Sequence, residues 1–273
     1  MNALPHGLPL AREGLTRRVF YASPLGRVEE LRATPFGLPP SGVNERPLFA
    51  HAFDGMFDFW RGRQHATFDS SRLLQLDAGF DYRERHPVSG RGHRALLFVP
   101  SVAFLEESPA LQSAFGHLSR PVGSRMAMLA AQWRLRGRDP SGLDDLWCAT
   151  MREIEGCRSG VTDSILVNRA KAYLAVNLSA PVSLAAIAAQ LRVSPNHLTQ
   201  SFTRAEGVPL YRYHLRLRLQ RALERLPRCD DLTQLALDVG FSSHSHFSEA
   251  FRRHFGMTPS AYRSEMRSVI RAA

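Results

Sequence analysis

Apolar positions along this chain change period near residue 101, from short strand-like runs to helical spacing. From Arg18 to about Ser101 the apolar residues come in short runs cut by Gly and Pro: Val19-Phe20-Tyr21, Leu48 to Phe53, Leu73-Leu74-Gln75-Leu76 and Ala95 to Val99. Turn-forming clusters such as Pro39-Pro40-Ser41-Gly42 and Ser89-Gly90-Arg91-Gly92 separate them. Runs of this length between such breakers predict β-strands, and together they predict a small β-sandwich or β-barrel. From Val102 to about Arg158 the period becomes helical. Met126, Leu129, Ala130 and Trp133 share one helix face, and a second helix opens at Asp139-Pro140 with Leu143, Leu146, Trp147, Met151 and Ile154 on its apolar side. Residues 1–17, polar and carrying Pro5 and Pro9, are expected to be disordered, and 159–164 read as a linker between domains at 18–158 and 165–273.

The last stretch is all helix. Leu166, Ala170, Leu174 and Leu178 form one row at four-residue spacing. Ser183 is placed to cap a helix over 184–191, Arg192-Val193 makes a tight turn, and a polar helix follows from Ser194 until Gly207-Val208-Pro209 ends it. A long helix over Pro209–Leu226 should bury Leu215, Leu219, Ala222 and Leu226 and leave Arg212, Arg216, Arg218 and Arg225 largely solvated. Helices over 232–239 and 243–255 follow, and Thr258-Pro259 opens a final one containing Tyr262. Within Ser243–Phe255, Phe247, Phe251 and Phe255 set three rings on one face. A shift of 49 positions lays Ser194 on Ser243, His197 on His246, Phe202 on Phe251, Arg204 on Arg253 and Gly207 on Gly256. One supersecondary unit is therefore used twice.

Charge sharpens this picture. The net charge is +10, and residues 165–273 carry 15 Lys+Arg against 7 Asp+Glu, a net of +8, while 1–164 is nearly neutral. The excess belongs to the repeat, as in a module that binds a polyanion. Lys171 is the only lysine among these cations. The three cysteines, Cys148, Cys157 and Cys229, have no metal-type spacing and fit a reducing compartment. With no secretory signal and no run approaching a membrane span, a cytoplasmic location away from the membrane is expected.

Helix, tight turn and polar-faced second helix occur at about 183–206 and again at 232–255, the helix-turn-helix pattern. The eighteen-residue connector would span about 27 Å, against about 34 Å between successive major grooves on one face of DNA. The runs Ser183-Leu-x-x-Ile-Ala188, Ser194-Pro-x-His-Leu198, Gly207-x-Pro209, Arg216-Leu-Arg-Leu219, Gly240-Phe-Ser-Ser-His-Ser-His-Phe-Ser248 and Pro259-x-x-Tyr-Arg263 closely resemble the AraC/XylS family of transcriptional regulators. The likeness is dense over 165–267, and Tyr82-Arg-x-x-His86-Pro with Leu97-Phe-Val-Pro100 is similar to the cupin-like N-terminal domain of some members. It implies an α+β architecture: a β-rich, cupin-like barrel or sandwich with trailing helices at 18–158, and an all-α double helix-turn-helix domain at 165–273. By the same resemblance, base-facing positions are Asn196, Thr199, Gln200 and Thr203 in the first recognition helix and His244, Ser245, Ser248 and Glu249 in the second. Arg204, Arg252, Arg253 and Arg263 are then phosphate ligands.

Two residues depart from the family pattern. Glu249 stands where a basic or neutral residue is common; it either accepts from a cytosine amino group or repels phosphate. Arg192 stands where the second turn has Gly240; it is strained if that turn needs positive φ, and otherwise the two turns differ in shape. The implied partners are double-stranded DNA, a small-molecule effector sensed by the N-terminal domain, RNA polymerase and a second copy of the chain. No cofactor and no catalysis are expected. His244 and His246 diverge on a helix, and Asp81–His86 offers a single histidine, so no metal is expected either. Two alternatives remain open: an enzyme built on the N-terminal domain, and an architectural DNA binder without sequence preference.

Overall fold

The computed structural model describes residues 11–272 apart from 13, 36–40, 89–90, 116–117, 137–142 and 157–163. Strands come first: β1 (Ala11–Arg12), β2 (Leu15–Ser23), β3 (Gly26–Ala33), β4 (Ser41–Val43), β5 (Leu48–Asp54), β6 (Phe57–Arg61), β7 (Gln64–Phe68), β8 (Arg72–Leu76), β9 (Asp81–Arg85) and β10 (His93–Pro100). Helices α1 (Val102–Glu106) and α2 (Pro109–Ala114), strand β11 (Ser119–Pro121), and helices α3 (Ser124–Arg136) and α4 (Leu143–Gly156) complete the N-terminal part. Then come α5 (Ile165–Val176), α6 (Leu184–Leu191), α7 (Pro195–Glu206), α8 (Leu210–Arg225), α9 (Leu232–Asp238), α10 (His244–Phe255) and α11 (Pro259–Ala272).

The strands form two antiparallel sheets, β1-β2-β3-β10-β5-β8-β11 and β4-β9-β6-β7. The period of two in a strand explains why the central runs are apolar throughout. In β5, Leu48, Ala50 and Ala52 face the small sheet, while Phe49 and Phe53 face the helices. In β10, Leu97 and Val99 face the small sheet, while Leu96 and Phe98 face α3 and α4. The large sheet is thus the middle of three layers. Met126, Leu129, Ala130 and Trp133 on α3, and Leu143, Leu146, Trp147, Met151 and Ile154 on α4, all lie in the helix-side core as their periodicity predicts. The second helix begins at Leu143 among the described residues; Asp139-Pro140, Cys157 and residues 159–163 of the expected linker lie outside them, while Ser164 precedes α5.

Three details differ from the sequence reading. Strand β2 starts at Leu15, so extended structure reaches into the segment expected to be disordered; residues 1–10 lie outside the described ones. Helix α5 ends at Val176 and buries Val167, Ala170, Lys171 and Leu174, a face advancing by three and four rather than a strict row ending at Leu178. Helix α8 has 16 residues because Pro209 caps it and Pro227 lies in a 3-10 turn at its end.

The helical part has two cores. Residues of α5, α6, α7 and the start of α8 form one; α8, α9, α10 and α11 form the other. Ala127 and Ala131 of α3 join the second core from the side opposite the sheet. The trailing helix expected within the N-terminal domain is therefore a shared wall.

Candidate nucleic-acid interface

The repeat in sequence is a repeat in cap geometry. The Ser194 and Ser243 hydroxyls accept from the amides of His197 and His246, both at 3.2 Å. Gly207 and Gly256 close the two helices at φ 69° and 79°. Helix α7 buries Leu198, Phe202 and Ala205; α10 buries Phe247, Ala250, Phe251 and Phe255.

The opposite faces are polar. On α7, Asn196, Gln200, Thr203 and Arg204 are exposed and Thr199 is half-buried. Gln200 Nε2 donates to Asn196 Oδ1 at 3.3 Å, so two amide groups lie side by side one turn apart. Thr199 donates back to the Pro195 carbonyl at 2.9 Å. On α10, Ser245, Glu249, Arg252 and Arg253 are exposed, and His244 and Ser248 are half-buried. His244 Nε2 meets Ser248 Oγ at 3.3 Å, along the helix rather than toward His246. Glu249 pairs with Arg253 one turn on, so the acid that breaks the family pattern already holds one of the expected phosphate ligands. Arg263 is placed differently. Its guanidinium donates to the carbonyls of Cys229 and Asp230, at 3.2 and 2.8 Å, and so braces the entry to α9 instead of lying on a recognition helix.

The two units are fastened by a residue expected to be solvated. Arg218 of α8 donates to Leu178 O at 2.8 Å, Ala180 O at 2.8 Å and Gly240 O at 2.7 Å, joining the end of the first unit to the turn of the second. Gly240 has φ 93°, and a Cβ there would meet the Arg218 guanidinium and Ser179 Cα at 2.9 Å. Arg192 has φ 59° and ψ 45°, left-handed backbone without glycine's freedom. Both turns therefore use positive φ, and the second has one more residue between that point and its serine cap. His214 and His254 flank this frame. Burial pushes each down to about 4, helped by Arg218 and Arg216 respectively, so both are neutral at pH 7.

Sequence reasoning missed a buried ionic contact between the sheets and the first unit. Lys171, fully buried on α5, has Nζ 3.2 Å from Glu206 Oε1 at the end of α7 and 3.6 Å from Asp69 Oδ2 after β7. Arg72 of β8 reaches the same Glu206 oxygen at 2.5 Å, and the Tyr213 hydroxyl donates to Asp69. Burial alone would raise the Asp69 pKa, but Lys171 and the hydroxyls of Ser71 and Tyr213 hold it below the usual carboxylate value. Burial, with Asp69 and Glu206 beside it, pushes the Tyr213 phenol well up. Gln220 Nε2 donates to Ser70 O at 2.9 Å, and Arg221 to Asp54 at 2.9 Å, extending the contact along α8. The readable signal was a single lysine on an otherwise apolar helix face.

Comparisons with known proteins find relatives of this chain. A family model described as a helix-turn-helix domain matches residues 187–265. The probable transcriptional regulator LumQ of Photobacterium leiognathi is 33% identical over 212 residues, covering 74% of this chain and 85% of that protein. The transcriptional regulator ArgR of Pseudomonas aeruginosa is 33% identical over 151 residues, 55% of this chain; the match spans only 44% of that relative. A solved AraC-type DNA-binding regulator from Chromobacterium violaceum is 33% identical and aligns with 37% of this chain and 91% of its own, at a TM-score of 0.36. Two capped helix-turn-helix units behind a β-rich region, together with a relative matched over most of its length, lead to one assignment: the chain belongs to the AraC/XylS family of transcriptional regulators.

Proposed function

We propose that this chain is a sequence-specific DNA-binding regulator that reads two successive major grooves with α7 and α10. The observation that carries the reading is the matched pair of serine-capped helices, each with a buried apolar stripe and an exposed polar face, in the part of the chain that holds most of the net positive charge. The sixteen residues of α8 span about 24 Å at 1.5 Å per residue, and with Arg218 they hold the two faces in one frame. Asn196 and Gln200 suit adenine edges, while Arg204, Arg252 and Arg253 suit phosphates. In vitro selection with the full chain, followed by footprinting, tests this. Two protected segments about 10–10.5 bp apart are expected; a single protected groove, or no preference over random DNA at the same salt, refutes it.

The N-terminal sandwich is the regulatory part in this proposal. A cavity of about 620 Å³ lies between it and the helices, lined by Phe53, Met56, Ser70, Val176, Leu178 and Arg221 among others. That volume suits a small organic molecule, and Ser70 stands next to the Asp69–Lys171–Glu206 contact. A compound that raises the melting temperature of the full chain and changes its DNA affinity, with both effects lost in Leu178→Trp, is the expected result. A panel in which every stabilising compound leaves DNA affinity unchanged refutes it.

A further inference from the structure

Residues Asp81–His86 hold a single histidine, so the sequence alone points to no metal there; the fold brings a second one beside it. Glu84 on β9 and His86 just beyond it are two residues apart in extended chain, so they share a face. The chain then crosses from the small sheet to the large one, and His93 opens β10 beside them. His86 Nε2 lies 3.0 Å from His93 Nδ1, Glu84 Oε1 lies 3.4 Å from His93 Nδ1, and Glu84 Oε1 lies 3.7 Å from His86 Nε2. The His93 and Glu84 side chains are 0% and 7% exposed and that of His86 is 12% exposed.

We propose that Glu84, His86 and His93 form a binding site for one divalent transition-metal ion of the zinc class, tying the end of β9 in the small sheet to the start of β10 in the large one. Geometry is the first argument. Four ligands placed tetrahedrally about 2.0–2.1 Å from zinc stand about 3.3 Å from one another, and the three measured separations bracket that edge. The donor set is the second. Two imidazoles and a carboxylate are a recurrent zinc triad, and two nitrogens disfavour Mg²⁺ and Ca²⁺, which take oxygen ligands. Satisfaction of polar atoms is the third. One proton serves the contact between the two histidines, and Glu84 Oε1 is then left buried without a hydrogen-bond partner, which is costly unless a cation meets it. The Phe57 ring stacks on His93 at 4.3 Å between centroids and encloses the apolar side of the site. The proposal is independent of DNA recognition, because none of the three residues lies on a recognition helix.

The test uses the full chain, freed of metal with a chelator and dialysed. Zn²⁺ titrated by calorimetry should bind with one site per chain and raise the melting temperature. Co²⁺ should give the intense visible band of four-coordinate nitrogen–oxygen ligation, and Mg²⁺ should do neither. His86→Gln, at the most exposed of the three positions, should keep the wild-type circular dichroism and weaken Zn²⁺ by more than about 100-fold, since loss of a mere outer-shell partner already costs about 10–100-fold. Glu84→Gln should do the same. A wild-type chain that takes up no Zn²⁺ at micromolar concentration overturns the proposal. So does a single Zn²⁺ site whose affinity is unchanged in His86→Gln and Glu84→Gln, which would place the ion elsewhere.

Discussion

Lys171→Met is the sharpest perturbation of the contact between the sandwich and the helices. Lys171 and Arg72 face Asp69 and Glu206, two positive and two negative groups in one buried cluster. Methionine keeps most of the lysine stem, so little packing is lost, but one buried negative charge is left unanswered. Truncating one member of a buried ion pair costs about 3–5 kcal/mol. At about 2–4 °C per kcal/mol for a chain of this size, the melting temperature should fall by roughly 6–20 °C. Asp69→Asn in the same chain removes the excess charge and leaves Arg72 on Glu206. The double variant should therefore recover at least half of the loss, a non-additivity of about 1–3 kcal/mol. Urea denaturation read by tryptophan fluorescence measures both, with an unchanged m-value showing that the denatured state is comparable. A loss below about 1 kcal/mol for Lys171→Met, or strict additivity in the double variant, would refute the reasoning.

Further outcomes follow from the two units. Gln200→Ala should relax preference at one or two base pairs by about 1–3 kcal/mol, whereas Arg253→Ala should weaken all sequences alike and flatten the salt slope by about one unit; binding curves over single-base operator substitutions at two salt concentrations separate the two. Glu249→Ala should release Arg253 from its ion pair; tighter binding to every sequence marks the acid as repelling phosphate, and loss of a cytosine preference in the same curves marks it as a base reader. Gly240→Ala should destabilise by at least about 1–3 kcal/mol, because the turn needs positive φ and the added methyl meets Arg218, while Arg192→Gly should stabilise by roughly 1 kcal/mol by relieving left-handed backbone; equal effects from the two would contradict this, with urea midpoints as the measure. His51 is fully buried, donates to Ser70 O, and is pushed down to about 4 by burial. The unfolded chain binds the proton near 6.5, so this group's stability is present above that pH and is lost as pH falls toward 4, about 3 kcal/mol in all at about 1.4 kcal/mol per unit. His51→Gln should flatten the wild-type decline in urea midpoint between pH 6.5 and 4, and an unchanged slope contradicts the assignment.

What the sequence determined by itself is what forms within a few residues. Ser194 and Ser243 cap their helices, Gly207 and Gly256 end them, and the spacing of Phe247, Phe251 and Phe255 sets the buried stripe; each depends on neighbours within about one helical turn. The runs at 48–53, 73–76 and 95–99 were legible as strands for the same reason, whereas burial of 48–53 and 95–99 on both faces came only with the layers stacked against them. Exposure of Asn196, Gln200 and Ser245 followed from the helix period alone.

Tertiary structure decided the rest, because the remaining contacts join residues that no local pattern relates. Arg218 lies on the flank that periodicity assigns to solvent, yet three carbonyls from two distant turns converge on it. Arg263, a phosphate candidate by the family pattern, donates to the carbonyls of Cys229 and Asp230, more than thirty positions away along the chain. Lys171 meets Asp69 and Arg72 meets Glu206 only because a β-turn docks on a helix pair far along the chain. His93 joins Glu84 and His86 only because the chain changes sheets between them. Periodicity reports which face is buried; which charges share that burial depends on how the layers stack, and that is a property of the fold as a whole.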